Sequence, residues 1–353
     1  LHELPEVDAV LGTGSYGEIA RAVDEVMAPG GLRPCYMGDI QNCVQGGARI
    51  LSTPSWYAYL RIAEGCDNCC SYCIIPQLRG PYTSRPYDEV MAEARSLAAH
   101  GVKELIVVAQ DTTRYGEDLT GKLLLPQLLR DLNELEGIKW IRVMYLYPNN
   151  FTDDLIAAFA ECDKVCKYID IPLQHASDRL LESMNRYDTR AQVEELLAKL
   201  RERIPGITIR TTFIVGFPGE TDEDFAELMD FVEKQRFENA GVFQYSQEEG
   251  TVAGAMENQI EPEVKENRYH ELMALQAGIS EEIHQEREDE ELDVIVEGFD
   301  EENPALAVGR SYHEAPDIDG NIFIENAAEL EVGQMVRVRI LQGFTYEMVA
   351  ELV

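Results

Sequence analysis

Residues 65–73 read Gly-Cys-Asp-Asn-Cys-Cys-Ser-Tyr-Cys and gather four of the chain's eight cysteines into eight consecutive positions. Two groupings are open. Paired as Cys66 with Cys69 and Cys70 with Cys73, they form two Cys-x-x-Cys units of the kind that bind zinc. Grouped as Cys66-x3-Cys70-x2-Cys73, they put three thiolates in one loop and leave Cys69 over. Zinc ribbons and fingers join ligand pairs that lie roughly a dozen or more residues apart. Nothing separates the pairs here, and the adjacent Cys69 and Cys70 are hard to aim at one tetrahedral ion. Three thiolates can instead hold three irons of a [4Fe–4S] cube and leave the fourth iron open. An open iron can bind the amino and carboxylate groups of S-adenosylmethionine (SAM) and pass an electron to its sulfonium, releasing a 5′-deoxyadenosyl radical.

The surroundings of the loop set its place in a fold. From Trp56 onward, short apolar or β-branched runs alternate with segments of helical period, the pattern of β-α units around a parallel sheet. Six strands are expected: Tyr57 to Ala63, Glu104 to Ala109, Trp140 to Leu146, Tyr168 to Ile171, Thr208 to Val215 and Ala240 to Tyr245. Five helical segments lie between them, among them Tyr87 to His100 and Asp222 to Gln235, where Phe225, Leu228, Met229 and Val232 share a face. The expected fold is α/β, an open partial (β/α)6 barrel. Function in such barrels sits at the carboxyl ends of the strands, where the cysteine loop falls.

Outside the barrel the character differs. A helix is expected from Glu18 to Met27, closed by the Gly- and Pro-rich stretch APGGLRP, and one long polar helix from Glu261 to Arg287. After Leu292 the runs LDVIVEG, IFIEN, GQMVRVRIL and YEMVAELV alternate and are punctuated by Gly, Asn, Asp and Pro, which predicts a small antiparallel, OB-like barrel. The expected divisions are 1–50, a remnant and linker, then 51–287 and 288–353.

Composition bounds the partners. The chain has 353 residues, 45% of them apolar, and a formal charge of −35. Its longest apolar runs fall well short of the roughly 20 residues a membrane helix needs. The opening LHELPEVDAV has neither a basic start nor an apolar signal core. A cytoplasmic location without membrane contact is expected, where clustered cysteines serve as metal ligands or reactive thiols. Residues 285–353 carry 18 Asp and Glu against four Arg and no Lys. Such a tail repels phosphate and attracts a basic partner, so no stable RNA binding is expected.

The cysteine spacing, with Tyr72 as the aromatic just before the last cysteine, resembles the radical SAM superfamily. The stretches EGCDNCCSYCIIPQLRGPYTSRP, VAQDTTRYG, YIDIPLQHASDRLLESMNR, IRTTFIVGFPGET and FQYSQEEGT narrow the resemblance to the methylthiotransferases, which replace C–H by C–S–CH3. AQDTTRYG and PLQHAS carry a closer similarity to the branch that modifies an aspartate β-carbon of ribosomal protein S-twelve. The resemblance implies a radical SAM domain followed by a TRAM domain. It also implies that Cys66, Cys70 and Cys73 are the cluster ligands with Cys69 a bystander, that Tyr72 packs near the adenine, and that the electron donor is of the flavodoxin or ferredoxin class. The family carries a second [4Fe–4S] cluster on three cysteines of an amino-terminal domain. LHELPEVDAVLGTGSY resembles that domain's end, past its last cysteine, and Cys35 and Cys43 match no ligand position. The chain is therefore expected to lack most of that domain, and the second cluster belongs to the full-length protein only.

SAM contacts are expected from Gln110 and Asp111 after the second strand, and from Gln174 and Ser177 after the fourth, their polar groups turned to the barrel mouth. His175 is expected to bond rather than act as a base. Arg210 can meet the SAM carboxylate or an acid inside the barrel. Gly216, with Gly219, lets backbone approach a ligand, although a plain turn uses the same residues. Beyond the cluster ligands no catalytic residue is assigned. Cys162 and Cys166 are expected to be ordinary buried thiols. The rivals are a tRNA methylthiotransferase, which needs a basic groove from residues such as Arg79, Arg85 and Arg114, and a noncatalytic zinc-binding interaction protein.

Overall fold

The computed structural model describes residues 4–40, 46 and 49–353. Six parallel strands form one sheet: β1 (Tyr57–Arg61), β2 (Glu104–Val108), β3 (Trp140–Val143), β4 (Val165–Asp170), β5 (Thr208–Val215) and β6 (Asn239–Gln244). Each pairs with its neighbour in sequence, in the order β6-β5-β4-β3-β2-β1, and the edges stay apart, so the barrel is open. Consecutive parallel strands need long crossovers. These are supplied by α1 (Tyr87–Ala99), α2 (Leu125–Asn133), α3 (Asp153–Glu161), α4 (Arg190–Arg203) and α5 (Asp222–Gln235). The sequence sets their starts: Thr189 with Gln192 before α4 and Thr221 with Asp224 before α5 form reciprocal capping boxes. The apolar helix faces and the outer face of the sheet make one continuous core, including Leu60, Leu105, Ile141, Ile169 and Phe213.

The long helix α6 (Pro262–Glu286) leads into the second unit. This is a closed barrel of five strands, β7 (Glu291–Phe299), β8 (Ala307–Arg310), β9 (Asn321–Ile324), β10 (Met335–Gly343) and β11 (Glu347–Leu352). Two details differ from expectation. The strand β8 was not anticipated, because Ala-Val-Gly-Arg is too short and too mixed to show alternation. The barrel is also not wholly antiparallel, since β9 pairs with β11 in parallel. An odd number of strands cannot alternate direction all the way round a closed ring, so one parallel pair follows from the count.

The loop after β8 closes the larger barrel from its amino-terminal end. Tyr57 and Tyr168 donate to Asp317 and Asp319 at 3.1 and 2.7 Å, and Arg142 donates to the Tyr312 carbonyl at 2.8 Å. Beneath them the fully buried Glu104 carboxylate receives Arg142 at 2.8 Å and also Arg310 from β8. Burial acts to raise the Glu104 pKa, but Arg310 and Arg142 together outweigh it and hold the group below its ordinary value.

At the amino terminus, Val10–Leu11 pairs in parallel with Cys35–Tyr36, and a helix spans Ile19–Met27. Cys35 is exposed, and Cys43 lies outside the described residues. Cys162 caps the end of α3 and Cys166 lies in β4, both buried as expected. Among the described residues no helix is long and apolar enough to cross a membrane.

Candidate active site

At the opposite, carboxyl end of the strands lies a cavity of about 560 Å³. Cys66, Cys70 and Cys73 line it, and Cys69 does not. The loop that delivers them is tied at its base, where Ala63–Glu64 pairs with Thr83–Ser84, and along its length, where Ser71 Oγ donates to the Ser183 carbonyl at 2.8 Å. Gly65 enters it at φ +78°, and a Cβ there would overlap the Pro81 carbonyl oxygen. Cys69 takes φ +50° and is exposed, its carbonyl held by Asn185 Nδ2 at 3.0 Å. The turn therefore puts three thiols on the inner wall and one outside.

Burial pushes the Cys66 thiol up to about 11, with smaller upward contributions from Asp111 and from Cys70 and Cys73. Burial also raises Cys73, against a backbone N–H from Ile75. A metal at this site thus displaces protons as it binds. Among the described residues no three His, Cys, Asp or Glu groups converge as a ready site for a metal ion. Three separated thiols around one cavity suit a cube that spreads its ligands over different irons better than a tetrahedral ion that draws them to one point.

The remaining expected contacts divide into two sets. Tyr72, Gln110, Gln174 and Arg210 line the cavity. The Gln110 amide donates to Glu64 at 2.8 Å, and its carbonyl oxygen is buried without a partner. Gln174 stands at φ +73° because its backbone bridges to Phe213 of β5 beyond the end of β4, giving its N–H to Thr212 and accepting from Ile214. Arg210 is satisfied by acids, Asp170 at 2.8 Å and Asp319 of the second barrel at 3.3 Å.

Asp111, Ser177 and Gly216 are turned away, contrary to expectation. Asp111 is buried behind the wall and accepts from Asn68, a cavity residue, at 3.0 Å; burial raises its pKa despite that bond and those from Thr113. Ser177 donates to Asp224 at 2.6 Å, at the start of α5. Gly216 has φ +73° and lies against the Lys265 side chain of α6, which a Cβ would strike. His175 is buried: its Nδ1 accepts from the Ser177 N–H at 3.0 Å, and its Nε2 faces Glu220 at 3.1 Å. His175 and Ser177 tie the loop after β4 to Glu220 and Asp224 after β5, and Glu220 in turn pairs with Arg268 of α6.

Comparisons with known proteins identify the family. Residues 60–232 match the Radical SAM superfamily and residues 290–353 the TRAM domain. The chain is 48% identical over 351 residues to the ribosomal protein uS12 methylthiotransferase RimO of Caldanaerobacter subterraneus subsp. tengcongensis, covering 99% of this chain and 79% of that protein. It is 49% identical over 354 residues to the protein of the same name from Geobacter sulfurreducens, covering 99% and 78%. The chain belongs to the RimO methylthiotransferase family. It is thus a radical SAM transferase. A solved radical SAM methyltransferase, TsrM from Kitasatospora setae, shares the fold alone, at a TM-score of 0.50 and 18% identity over 66% of this chain and 50% of that one.

Within this RimO-family site the sequence had not pointed to Asn68, Tyr145, Tyr147, Arg186 or Phe243, all on the cavity wall. Tyr145 lies two residues past the end of β3 and Phe243 one residue before the end of β6, positions that could have flagged them. Arg186 gave no signal, because an arginine in a loop reads as a surface residue.

Proposed function

We propose that the chain methylthiolates the β-carbon of an aspartate in ribosomal protein uS12, and that Cys66, Cys70 and Cys73 hold the [4Fe–4S] cluster that acts with SAM. Bound there, the cluster would supply the one-electron reduction of SAM on which radical removal of the substrate hydrogen depends. The chain's own residues bind and orient. Tyr72 offers its ring at the cysteine loop, Gln110 and Gln174 offer amide groups for the polar parts of SAM, and Arg210 keeps the floor of the cavity charged yet balanced. The closed amino-terminal end of the barrel excludes water from below, so the carboxyl end is the entrance for substrate.

Family membership carries the choice of substrate, and the surface supports a basic protein over RNA. Arg337 and Arg339 are paired with acids, Arg310 is buried, and Glu301, Glu302, Glu325, Glu329 and Glu331 stand exposed. The arginines that a tRNA-binding groove would need are occupied as well. Arg79 lies 3.8 Å from Glu64, Arg85 is buried on Glu93 at 2.7 Å, and Arg114 meets Glu117 at 2.9 Å. Purified uS12 is expected to bind at low salt and to weaken as salt screens the acidic barrel, whereas unmodified tRNA binds poorly throughout. Tight, salt-sensitive tRNA binding that survives competition by uS12 would move the assignment to the tRNA-modifying branch. An electron donor of the flavodoxin or ferredoxin class completes the reading, as the one-electron source.

A further inference from the structure

Two guanidinium groups reach the cavity wall among the described residues, Arg186 and Arg210, and their surroundings differ. Arg210 is shared between two carboxylates. Arg186 has a side chain only 3% exposed, and the nearest carboxylate, Asp188, is 3.7 Å away, beyond hydrogen-bonding distance. Its Nη2 donates to the Pro172 carbonyl at 2.9 Å, its guanidinium lies 4.4 Å from the centre of the Tyr147 ring, and its Nε has no partner. Neutral groups make its close contacts, and the buried Asp188 carboxylate, an ion-pair partner at 3.7 Å without a direct hydrogen bond, offsets its charge only in part. Tyr72, next to Cys73 in the cysteine loop, shares the cavity wall with Cys70 and Arg186, so the cation faces the same cavity as the three thiols.

We propose that Arg186 is a positioning residue for electron entry, its buried charge raising the reduction potential of the cluster held by Cys66, Cys70 and Cys73. The inference rests on the ligand reading above. A cluster bound by three thiolates is anionic, and one electron from the donor makes it more so, with no bond formed or broken. A fixed cation nearby stabilises the reduced form more than the oxidised one, and burial keeps solvent from screening the effect. Arginine suits this role because it stays charged when buried.

The test is a potentiometric titration of the anaerobically reconstituted chain at pH 8 without SAM, followed by the paramagnetic signal of the reduced cluster. Arg186→Gln should lower the reduced-to-oxidised ratio at a fixed potential at least tenfold, about 59 mV for a one-electron couple. Arg186→Lys should stay closer to the parent than to the Gln variant, and Asp188→Asn, which removes the nearest negative charge, should shift the potential upward. A Gln variant with the parent's potential, or a Lys variant that falls as far as Gln, overturns the inference. So does a loss of SAM affinity with the SAM-free potential unchanged, which would make Arg186 a carboxylate ligand instead. Should the Gln variant fail to take up iron, Asp188→Asn decides: an upward shift supports the inference and an unchanged potential overturns it. Iron and sulfide content separates the two levels. A parent chain that binds neither overturns the ligand reading and this inference with it, whereas normal loading with an unmoved potential overturns this inference alone.

Discussion

The two ends of the six-stranded barrel are built on opposite principles. At the amino-terminal end, charges meet charges: Glu104 with Arg142 and Arg310, Arg310 also with Glu297 at 2.9 Å, and Asp319 with Arg210. At the carboxyl end, thiols, amides and aromatic rings line an open cavity, and Arg186 lies against a ring and a carbonyl, with the Asp188 carboxylate farther off at 3.7 Å. The ends differ in exposure, with Tyr145 and Phe243 half open on the cavity wall and Glu104, Arg142 and Arg310 buried, and they differ in pairing as well. A buried charge without a mate is costly. Beside the three thiols Arg186 has only the looser Asp188 pair, and the anionic cluster those thiols would hold is its expected further partner. The tightly paired end belongs to folding and domain docking, and the loosely paired end to chemistry.

The largest effect expected from breaking this contrast is at Glu104. Glu104→Gln takes the shared carboxylate from two buried guanidinium groups, leaving Arg310 its Glu297 pair and Arg142 the Tyr312 carbonyl, and should cost about 3–5 kcal/mol in denaturant unfolding, while folded protein still loads iron. A loss below about 1 kcal/mol, the scale of exposed ion pairs, would mean that the floor does not hold the fold. The same residue sets a pH dependence. Its folded pKa lies below the ordinary 4.5, so its contribution is complete above about pH 4.5 and is lost as the pH falls through the folded value. The Gln variant should lack this part of the acid slope.

A smaller effect, confined to the other end, is expected for Gly65→Ala. The φ of +78° and the overlap with the Pro81 carbonyl strain the cysteine loop by about 1–3 kcal/mol. Iron loading should fall sharply while the unfolding midpoint moves little. Equal loss of both would show that the loop and the floor are one unit. The smallest effect belongs to Ser177→Ala, which removes the bond to Asp224 and should cost about 1 kcal/mol without changing SAM affinity. Gln174→Ala should do the reverse, weakening SAM binding at nearly unchanged stability. A drop in SAM affinity for Ser177→Ala would return that residue to the cavity.

Much of this arrangement was legible in the sequence. The β-branched runs at Leu105–Val107 and Ile209–Val215 and the period of Phe225, Leu228 and Val232 gave the sheet and its helices, because periodicity reflects burial on one side. Position at a strand's end put Gln110 and Gln174 on the cavity wall. It failed for Asp111, Ser177 and Gly216, since proximity to a strand end does not say which way a side chain turns once a neighbour such as Asn68, Asp224 or Lys265 competes for it. The plug formed by the loop after β8 was out of reach altogether. Asp317 and Asp319 lie more than a hundred residues from Tyr168 and Arg210, and in an acidic tail they looked like two more surface carboxylates.

The contrast stands or falls on which thiols face the cavity, and a cysteine scan measures that most directly. Four single Ala variants, at Cys66, Cys69, Cys70 and Cys73, are reconstituted anaerobically beside the parent chain, and iron and acid-labile sulfide are counted in each. The expected result is about four irons and four sulfides, one cubane, in the parent and in Cys69→Ala, and loss of the cluster in the other three. Loss of iron in Cys69→Ala with retention in Cys70→Ala, or zinc without sulfide in the parent, would contradict the account.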